Sequence, residues 1–155
     1  LPTAAVISGF VHSLFALLIL LVAILVLPGQ NLELTILWLP AIMFPQLLIS
    51  LGLGWFVSSI SVYIRDVREA IPMFLMAWWF ATPILYPASV VPDVLATYMD
   101  FNPMKLIVDN YRRVLIDGLA PDWMSISVLM ILGLLVFSVG RSWFKNSSRG
   151  FADVL

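Results

Sequence analysis

Residues 55–87 read WFVSSISVYIRDVREAIPMFLMAWWFATPILYP, and this stretch sets the arrangement of the rest of the chain. Its first apolar run ends at Tyr63, and its second begins at Ala70 and breaks at Thr82-Pro83. Between the two runs lies a patch of four charged side chains, Arg65, Asp66, Arg68 and Glu69. We call residues 64–69 the charged turn. So tight a turn leaves little room for an active site, but it offers a contact surface to a partner outside the membrane.

The composition indicates a membrane protein. The chain has 155 residues, of which 62% are hydrophobic and 11% are charged, whereas about a quarter of the residues in soluble domains are charged. Because it has no cysteine, disulfides and cysteine-bound metal are excluded. The first apolar run is too long for a signal peptide and has no basic region before it. Since the chain begins at Leu1 and not at Met, we expect the start of the protein to be missing.

Four apolar runs predict four transmembrane helices, since one span needs about 20 residues. They cover about residues 4–27, 36–63, 70–86 and 123–144. Pro40 and Pro45 predict a short tilted entry segment and then a long kinked helix in the second run. Pro72 suits the first turn of the third helix. Gly133 and Gly140 are seven residues apart, so they lie near one face of the last helix and permit close packing.

Residues 87–122 differ from the spans because turn-forming residues are scattered among the apolar ones. Asn102-Pro103 predicts an N-cap followed by proline at the first helical position, and Gly118 predicts the end of that helix. Between them a stripe recurs at helical spacing, Met104, Ile107, Val108, Tyr111 and Leu115. We expect an external amphipathic hairpin at about residues 88–118. The fold class is then all-α and polytopic, with one transmembrane domain covering residues 1–155.

The basic residues indicate the orientation. Five lie in the charged turn and the tail, Arg65, Arg68, Arg141, Lys145 and Arg149, and three lie on the other side, Lys105, Arg112 and Arg113. This excess predicts that the turn and both ends of the chain are cytoplasmic. Interfacial aromatic side chains are expected on the outer side at Trp38, Tyr86 and Trp123, and on the inner side at Tyr63 and Trp143.

Few side chains are candidates for chemistry, and we predict no catalytic and no metal-binding residue. The apolar cores of the spans carry no formal charge, which argues against a proton-coupled transporter. No phosphate-binding glycine loop with a following lysine is present, so the chain itself is not expected to use ATP. His12 is either a proton relay or a neutral residue at a helix contact, and Gln46 either lines a pore or satisfies backbone groups freed by prolines. The external carboxylates are either an acid–base pair or a solvated face, Asp93, Asp100, Asp109 and Asp117.

Two further features have alternative interpretations. Four aromatic residues lie away from the expected interface depths, Trp55, Phe74, Trp78 and Trp79. Their rings either stack on sugar faces in a pore or pack against neighbouring helices. The charged turn either docks into a groove of a soluble partner or only obeys the positive-inside rule.

Five short motifs occur in order along the chain: Tyr63-Ile-Arg65-Asp66-Val67, Thr82-Pro83-Ile84-Leu85-Tyr86-Pro87, Asn102-Pro103, Tyr111-Arg112 and Phe151-Ala152-Asp153. Together they resemble the permease subunits of bacterial ABC exporters of polysaccharides and polyol phosphates, which export O-antigen, capsule or teichoic-acid chains. The resemblance implies a six-span inner-membrane subunit, so the first two spans would be absent from this chain. It also implies pairing with a second copy and with two copies of a separate ATPase, which would bind the ATP and Mg. This chain would then need no cofactor.

The resemblance assigns roles to three groups of residues. The ATPase-coupling group comprises Tyr63, Arg65, Asp66, Arg68 and Glu69. The substrate channel would be lined by Trp55, Phe74, Trp78 and Trp79. The external gate would include Asn102, Pro103, Tyr111 and Arg112.

The expected function is therefore export of a lipid-linked glycan. The chain is also expected to contact membrane lipid, and nucleic acid is not an expected partner. An ABC exporter of drugs or lipids is the first alternative. A membrane-embedded transferase acting on lipid-linked sugars is an alternative of another class, and a purely structural membrane subunit is a third.

Overall fold

The computed structural model describes residues 2–26, 34–84 and 99–148, and every regular element within them is helical. In chain order these elements are α1 (Pro2–Val26), a 3₁₀ helix (Leu34–Trp38), α2 (Leu39–Tyr63), α3 (Arg65–Ala81), α4 (Pro103–Leu115) and α5 (Trp123–Ser147). The prediction of an all-α fold is confirmed.

Helices α2 and α5 form the centre of the bundle and run parallel to each other. At one end, the rings of Trp38 and Trp123 meet edge to face with centroids 4.9 Å apart. At the other end, the Tyr63 hydroxyl donates to the Ser147 carbonyl oxygen at 3.1 Å. The charged turn and the end of α5 therefore lie at the same end of the bundle.

Glycines bring the backbones of α2 and α5 into direct contact. A Cβ at Gly140 would overlap the carbonyl oxygen of Gly52, and one at Gly52 would overlap the carbonyl oxygen of Val136. At Gly133 an added Cβ would lie 3.1 Å from the Pro45 carbonyl oxygen. Small residues at such crossings allow helices to approach closely in a membrane, where packing replaces the hydrophobic effect. The close packing predicted from Gly133 and Gly140 is confirmed.

The start of α2 has the predicted entry segment, which is the 3₁₀ helix. Pro40 is the second residue of α2. Since the first N–H groups of a helix have no acceptor within the helix, a proline at this position costs no helical hydrogen bond. Pro45 is buried within the helix. The buried core lies at this end, where α2, α4 and α5 meet, and comprises Leu39, Ile42, Ile49, Ile107, Val114, Ile126 and Leu129.

Three helical stretches among the described residues are long and apolar enough to cross a membrane, Pro2–Val26, Leu34–Tyr63 and Trp123–Ser147. The predicted four-span count therefore remains a prediction. Helix α3 has 17 residues, and it begins with charged side chains. Its apolar part, from Ala70 to Ala81, covers roughly 18 Å at 1.5 Å per residue, against a hydrocarbon core of about 30 Å.

Helix α3 covers Arg65–Ala81, whereas the third span was predicted at about residues 70–86. Because a single residue, Ile64, makes the turn, the helix begins at Arg65, and it ends at Ala81 because Pro83 cannot continue it. Pro72 consequently lies inside the helix and not in its first turn. Its ring leaves the Arg68 carbonyl without the usual backbone donor four residues later.

Several predictions concern residues outside the described ranges. These are the outer aromatic residue Tyr86, the tail residue Arg149, the motif at 151–153 and the first hairpin helix, from about residue 88.

Candidate functional site

The charged turn reverses the chain direction within one residue. Ile64 has an extended backbone, and its N–H closes α2 by donating to the Ile60 carbonyl at 2.9 Å. The side chains of Asp66, Arg68 and Glu69 are exposed. Asp66 lies in the first turn of α3, where a carboxylate is favoured by the helix dipole. The turn thus presents charges of both signs on the molecular surface.

Tyr63 connects this turn to a third helix. Its hydroxyl bonds to the carbonyl of Ser147, the last residue of α5. The ends of α2 and α5 and the start of α3 therefore meet at one place.

The predicted channel residues lie on two consecutive helices. Phe74, Trp78 and Trp79 lie on α3, and the rings of Phe74 and Trp78 have centroids 5.8 Å apart. Phe74 and Trp79 are exposed. Trp55 lies on α2, where its indole N–H donates to the Thr3 hydroxyl at 2.9 Å and its ring is 5.0 Å from that of Phe137. Trp55 is therefore held by contacts to α1 and α5.

Asn102 joins the end of α3 to the start of α4. Its Oδ1 accepts from the Met104 N–H at 3.0 Å, which is the predicted N-cap, and from the Trp78 indole N–H at 3.0 Å. Its Nδ2 donates to the Thr82 hydroxyl oxygen at 3.0 Å. Thr82 is 1% exposed, and its hydroxyl donates to the Trp78 carbonyl at 2.9 Å. The sequence predicted the cap but not this junction, because Trp78 and Thr82 lie 20 or more residues away.

Two more predicted gate residues bind other elements. The Tyr111 hydroxyl donates to Gln46 Oε1 on α2 at 2.8 Å, and burial raises the pKa of Tyr111 to about 12, so the donor is retained at neutral pH. Gln46 thus has a role that neither sequence interpretation included. A guanidinium nitrogen of Arg112 donates to the carbonyl of Ile84, just after α3, at 2.6 Å. Pro103 is the first residue of α4, as predicted.

The buried face of α4 differs from the predicted stripe. Met104 is exposed, whereas Asn110 is 1% exposed. The amide of Asn110 is satisfied because it accepts from the Asp122 N–H and donates to the Leu106 carbonyl, both at 2.8 Å. The periodicity of apolar residues could not predict this contact, because the buried side chain is polar and its hydrogen-bond partners lie inside the protein.

Helix α4 ends as predicted. Gly118 has a positive φ of 63°, which favours glycine, and the Leu119 N–H returns to the Arg113 carbonyl at 2.8 Å. Asp122 then caps α5 by accepting from the backbone N–H groups of Met124 and Ser125. The Ser125 hydroxyl also donates to this carboxylate, and these bonds lower the pKa of Asp122.

Two of the external carboxylates, Asp100 and Asp109, form ion pairs. Lys105 Nζ lies 2.6 Å from Asp100 and 3.6 Å from Asp109, and Arg112 lies 3.9 Å from Asp109. The hydrogen bond to Asp100 is the main cause of the raised pKa of Lys105. These contacts agree with a solvated face more than with an acid–base pair. Within residues 2–26, 34–84 and 99–148, no group of three His, Asp or Glu side chains is suited to hold a metal ion. His12 is exposed on α1.

An all-helical bundle with three membrane-crossing stretches, an exposed charged turn at one end and a short amphipathic helix against the other defines a polytopic membrane protein. The chain belongs to the ABC-2 type transporter membrane family, whose profile matches residues 2–116. The resemblance found in the motifs is confirmed.

Three relatives illustrate the similarity. The chain is 25% identical over 156 residues to the O-antigen export system permease protein RfbA of Klebsiella pneumoniae, covering 100% of this chain and 60% of the relative. It is 26% identical over 155 residues to the protein of that name from Myxococcus xanthus, covering 99% and 59%. It is 23% identical over 133 residues to the polysialic acid transport protein KpsM of Escherichia coli, covering 84% and 51%. The chain thus spans three-fifths or less of the length of these relatives.

Proposed function

We propose that this chain is the greater part of the permease of an ABC exporter that carries a lipid-linked polysaccharide outward across the bacterial inner membrane. Family membership and the functions after which the relatives are named, O-antigen export and polysialic acid transport, support this class of cargo. A drug or lipid exporter has no comparable support. A sugar transferase would need a cluster of acid and base groups, and the carboxylates near α4 are instead paired with Lys105 and Arg112.

The observation that carries the proposal is the charged turn between α2 and α3. In the proposed assembly it contacts a separate ATPase, which holds ATP and Mg. Only Ile64 separates the two helices, and the Tyr63 hydroxyl bonds to the end of α5. A force applied to Asp66, Arg68 or Glu69 would therefore reach three helices at once. We include Arg65 in this contact because of its place in the turn.

The proposed assembly contains two copies of the permease and two of the ATPase. The charged turn, the start of α1 and the end of α5 face the cytoplasm, in keeping with the excess of basic residues at that side. On the outer side, α4 forms part of a gate that includes Asn102 and Tyr111. Phe74 and Trp79 are the exposed aromatic rings on α3 that would contact the glycan. Trp55 and Trp78 also line the proposed channel. Because their indole N–H groups are hydrogen-bonded to Thr3 and Asn102, only the remaining surface of each ring is available to the glycan.

The test uses the full-length permease expressed with its ATPase. Asp66→Ala and Arg68→Ala should reach the membrane at normal level, because exposed ion pairs contribute only about 0–1 kcal/mol to stability. They should retain less ATPase and lose export, because truncating a charge at a desolvated contact costs roughly 2–5 kcal/mol. Lys145→Ala is the matched control, since Lys145 is an exposed charge in the last turn of α5.

Two readouts separate the parts of the proposal. Normal ATPase retention and full export in both turn variants would show that the turn serves only as a topology signal. Deleting the gene should make a glycan accumulate inside the cell, and unchanged surface polysaccharide in the deletion strain would exclude the proposed cargo.

A further inference from the structure

Helix α3 has its hydrogen-bonded attachments at its two ends. None of its described side chains is buried, and Met73, Phe74 and Met76 are 76%, 62% and 63% exposed. Its first residue follows the one-residue turn after α2. Its last turn is bonded through Trp78, and the segment just beyond it through Thr82 and Ile84, to side chains of the α4 region. Helix α3 is therefore attached to neighbouring elements at both ends, and it has few attachments along its length.

Helix α4 is fixed from Ile107 onward and is attached to α3 at its first residues. Ile107, Asn110 and Val114 are buried, Asn110 binds the N-cap of α5, and Tyr111 binds α2. The Thr35 hydroxyl also donates to the Val114 carbonyl at 3.1 Å. These contacts attach the C-terminal half to the α2–α5 pair, whose backbones are in direct contact. The N-terminal end is instead attached to α3, through Asn102.

The chemistry of Asn102 exceeds what a helix cap requires. Serine, threonine and aspartate cap helices as well, because a cap needs only an acceptor oxygen. Asparagine adds an NH₂ donor to that acceptor on the same short side chain. Here the acceptor serves the Met104 N–H and the Trp78 indole, while the donor serves Thr82. The side chain thus connects two helices at the same time.

We propose that Asn102 is a positioning residue that makes α3 and the N-terminal end of α4 move as one unit. Of the three helices that meet at the turn, α3 is the one without a buried described side chain, so displacement of the turn moves α3 relative to the closely packed α2–α5 pair and reaches the outer end of the molecule through Asn102. This inference rests on the proposed function, because it requires a partner that displaces the turn.

Three substitutions remove hydrogen bonds of the junction. Asn102→Ala removes the acceptor for Trp78 and the donor to Thr82 together with the cap of α4. Trp78→Phe keeps an aromatic ring beside Phe74 and removes the indole N–H, and Thr82→Val removes the hydroxyl. In the full-length permease assembled with its ATPase, each should lower the glycan exported per ATP hydrolysed about fivefold, the factor that one hydrogen bond is worth. Membrane level and ATP hydrolysis should remain close to wild type.

Two variants serve as controls. Thr82→Ser retains the hydroxyl and should keep the wild-type ratio of export to hydrolysis. Asp122→Ala removes the cap of α5, a loss of the same kind with no contact to α3, and should also keep that ratio. If Asp122→Ala lowers the ratio as much as Asn102→Ala does, general loss of stability explains the effect and the junction has no special role.

Spin-label distances test the motion directly. In a cysteine-free full-length permease bound to its ATPase, labels replace Met76 on α3 and Phe101 beside the junction, with a reference label at Met124 on α5. All three positions are at least 63% exposed. On binding a non-hydrolysable ATP analogue, both distances to the reference should change in wild type. In Asn102→Ala and Trp78→Phe only the α3 distance should change.

The outcomes distinguish this inference from the proposed function. If the α3 label does not move in wild type, the ATPase does not act through the turn, and this inference fails together with the coupling part of the proposed function. If the α3 label moves while the label at 101 stays still in wild type, the coupling to α4 is overturned and the proposed function stands. If the label at 101 moves in the two junction variants as it does in wild type, the coupling to α4 is likewise overturned and the proposed function stands.

Discussion

Replacement of Gly140 by alanine is expected to separate the two central helices. The new Cβ would overlap the carbonyl oxygen of Gly52 on α2. This obstacle is backbone, so no side-chain rotation can relieve it, and the whole of α2 has to shift. Gly52→Ala meets the Val136 carbonyl in the same way. Gly9 on α1 is the matched control, because nothing lies within 4 Å of a Cβ added there.

Two contributions determine how much Gly140→Ala changes the free energy of unfolding. Forcing an extra methyl into a packed contact costs typically about 1–3 kcal/mol, and the rigid backbone contact at Gly140 favours the upper end of this range. Alanine in place of glycine in a helix interior contributes about 0.5–1 kcal/mol of stability. The second term is common to Gly140→Ala and Gly9→Ala, so the two variants should differ by about 3 kcal/mol. Gly54→Ala should lie between them, because its nearest obstacle is a movable methyl, Val6 Cγ2 at 2.7 Å.

The assay is equilibrium unfolding of the purified full-length permease in detergent, followed by tryptophan fluorescence. Gly9→Ala should unfold at or above the wild-type midpoint, Gly54→Ala slightly below it, and Gly140→Ala clearly below both. If Gly140→Ala unfolds at the same midpoint as Gly9→Ala, the backbones of α2 and α5 are not in contact and the packing argument is wrong.

Three further predictions concern orientation, the channel and the outer hydrogen bonds. With a membrane-impermeant thiol reagent on intact cells, cysteine at Asp117 should label and cysteine at Arg68 should not; labelling at 68 would invert the orientation. Phe74→Ala and Trp79→Ala should reduce glycan export without reducing the amount of assembled ATPase, and normal export in both would identify these rings as packing residues. Because burial raises the pKa of Tyr111 to about 12, unfolding stability should fall as pH rises from about 10, the ordinary tyrosine value, to about 12. Tyr111→Phe should lose that part of the pH dependence, and an unchanged alkaline profile would show that Tyr111 is not buried.

Local patterns in the sequence were sufficient for the class of protein and for most helix ends. Uncharged runs of about 20 residues predict spans because the bilayer core has a fixed thickness. The cap at Asn102 and the stop at Gly118 were predicted because capping depends on the chemistry of single residues and their immediate neighbours. The charged turn was visible because charges interrupt two apolar runs. The ordered motifs added the family, which the match over residues 2–116 confirms.

The contacts between distant segments were decided only by the tertiary structure. The start of α3 at Arg65 depends on how few residues the chain needs to reverse direction, and composition placed it at Ala70. Asn110 is buried because the Asp122 N–H satisfies its amide, a partner that apolar periodicity cannot reveal. The junction at Asn102 likewise depends on where the end of α3 lies relative to the start of α4. Residue spacing determines which face of one helix a side chain occupies, but the partner across a helix interface is determined only when the helices pack.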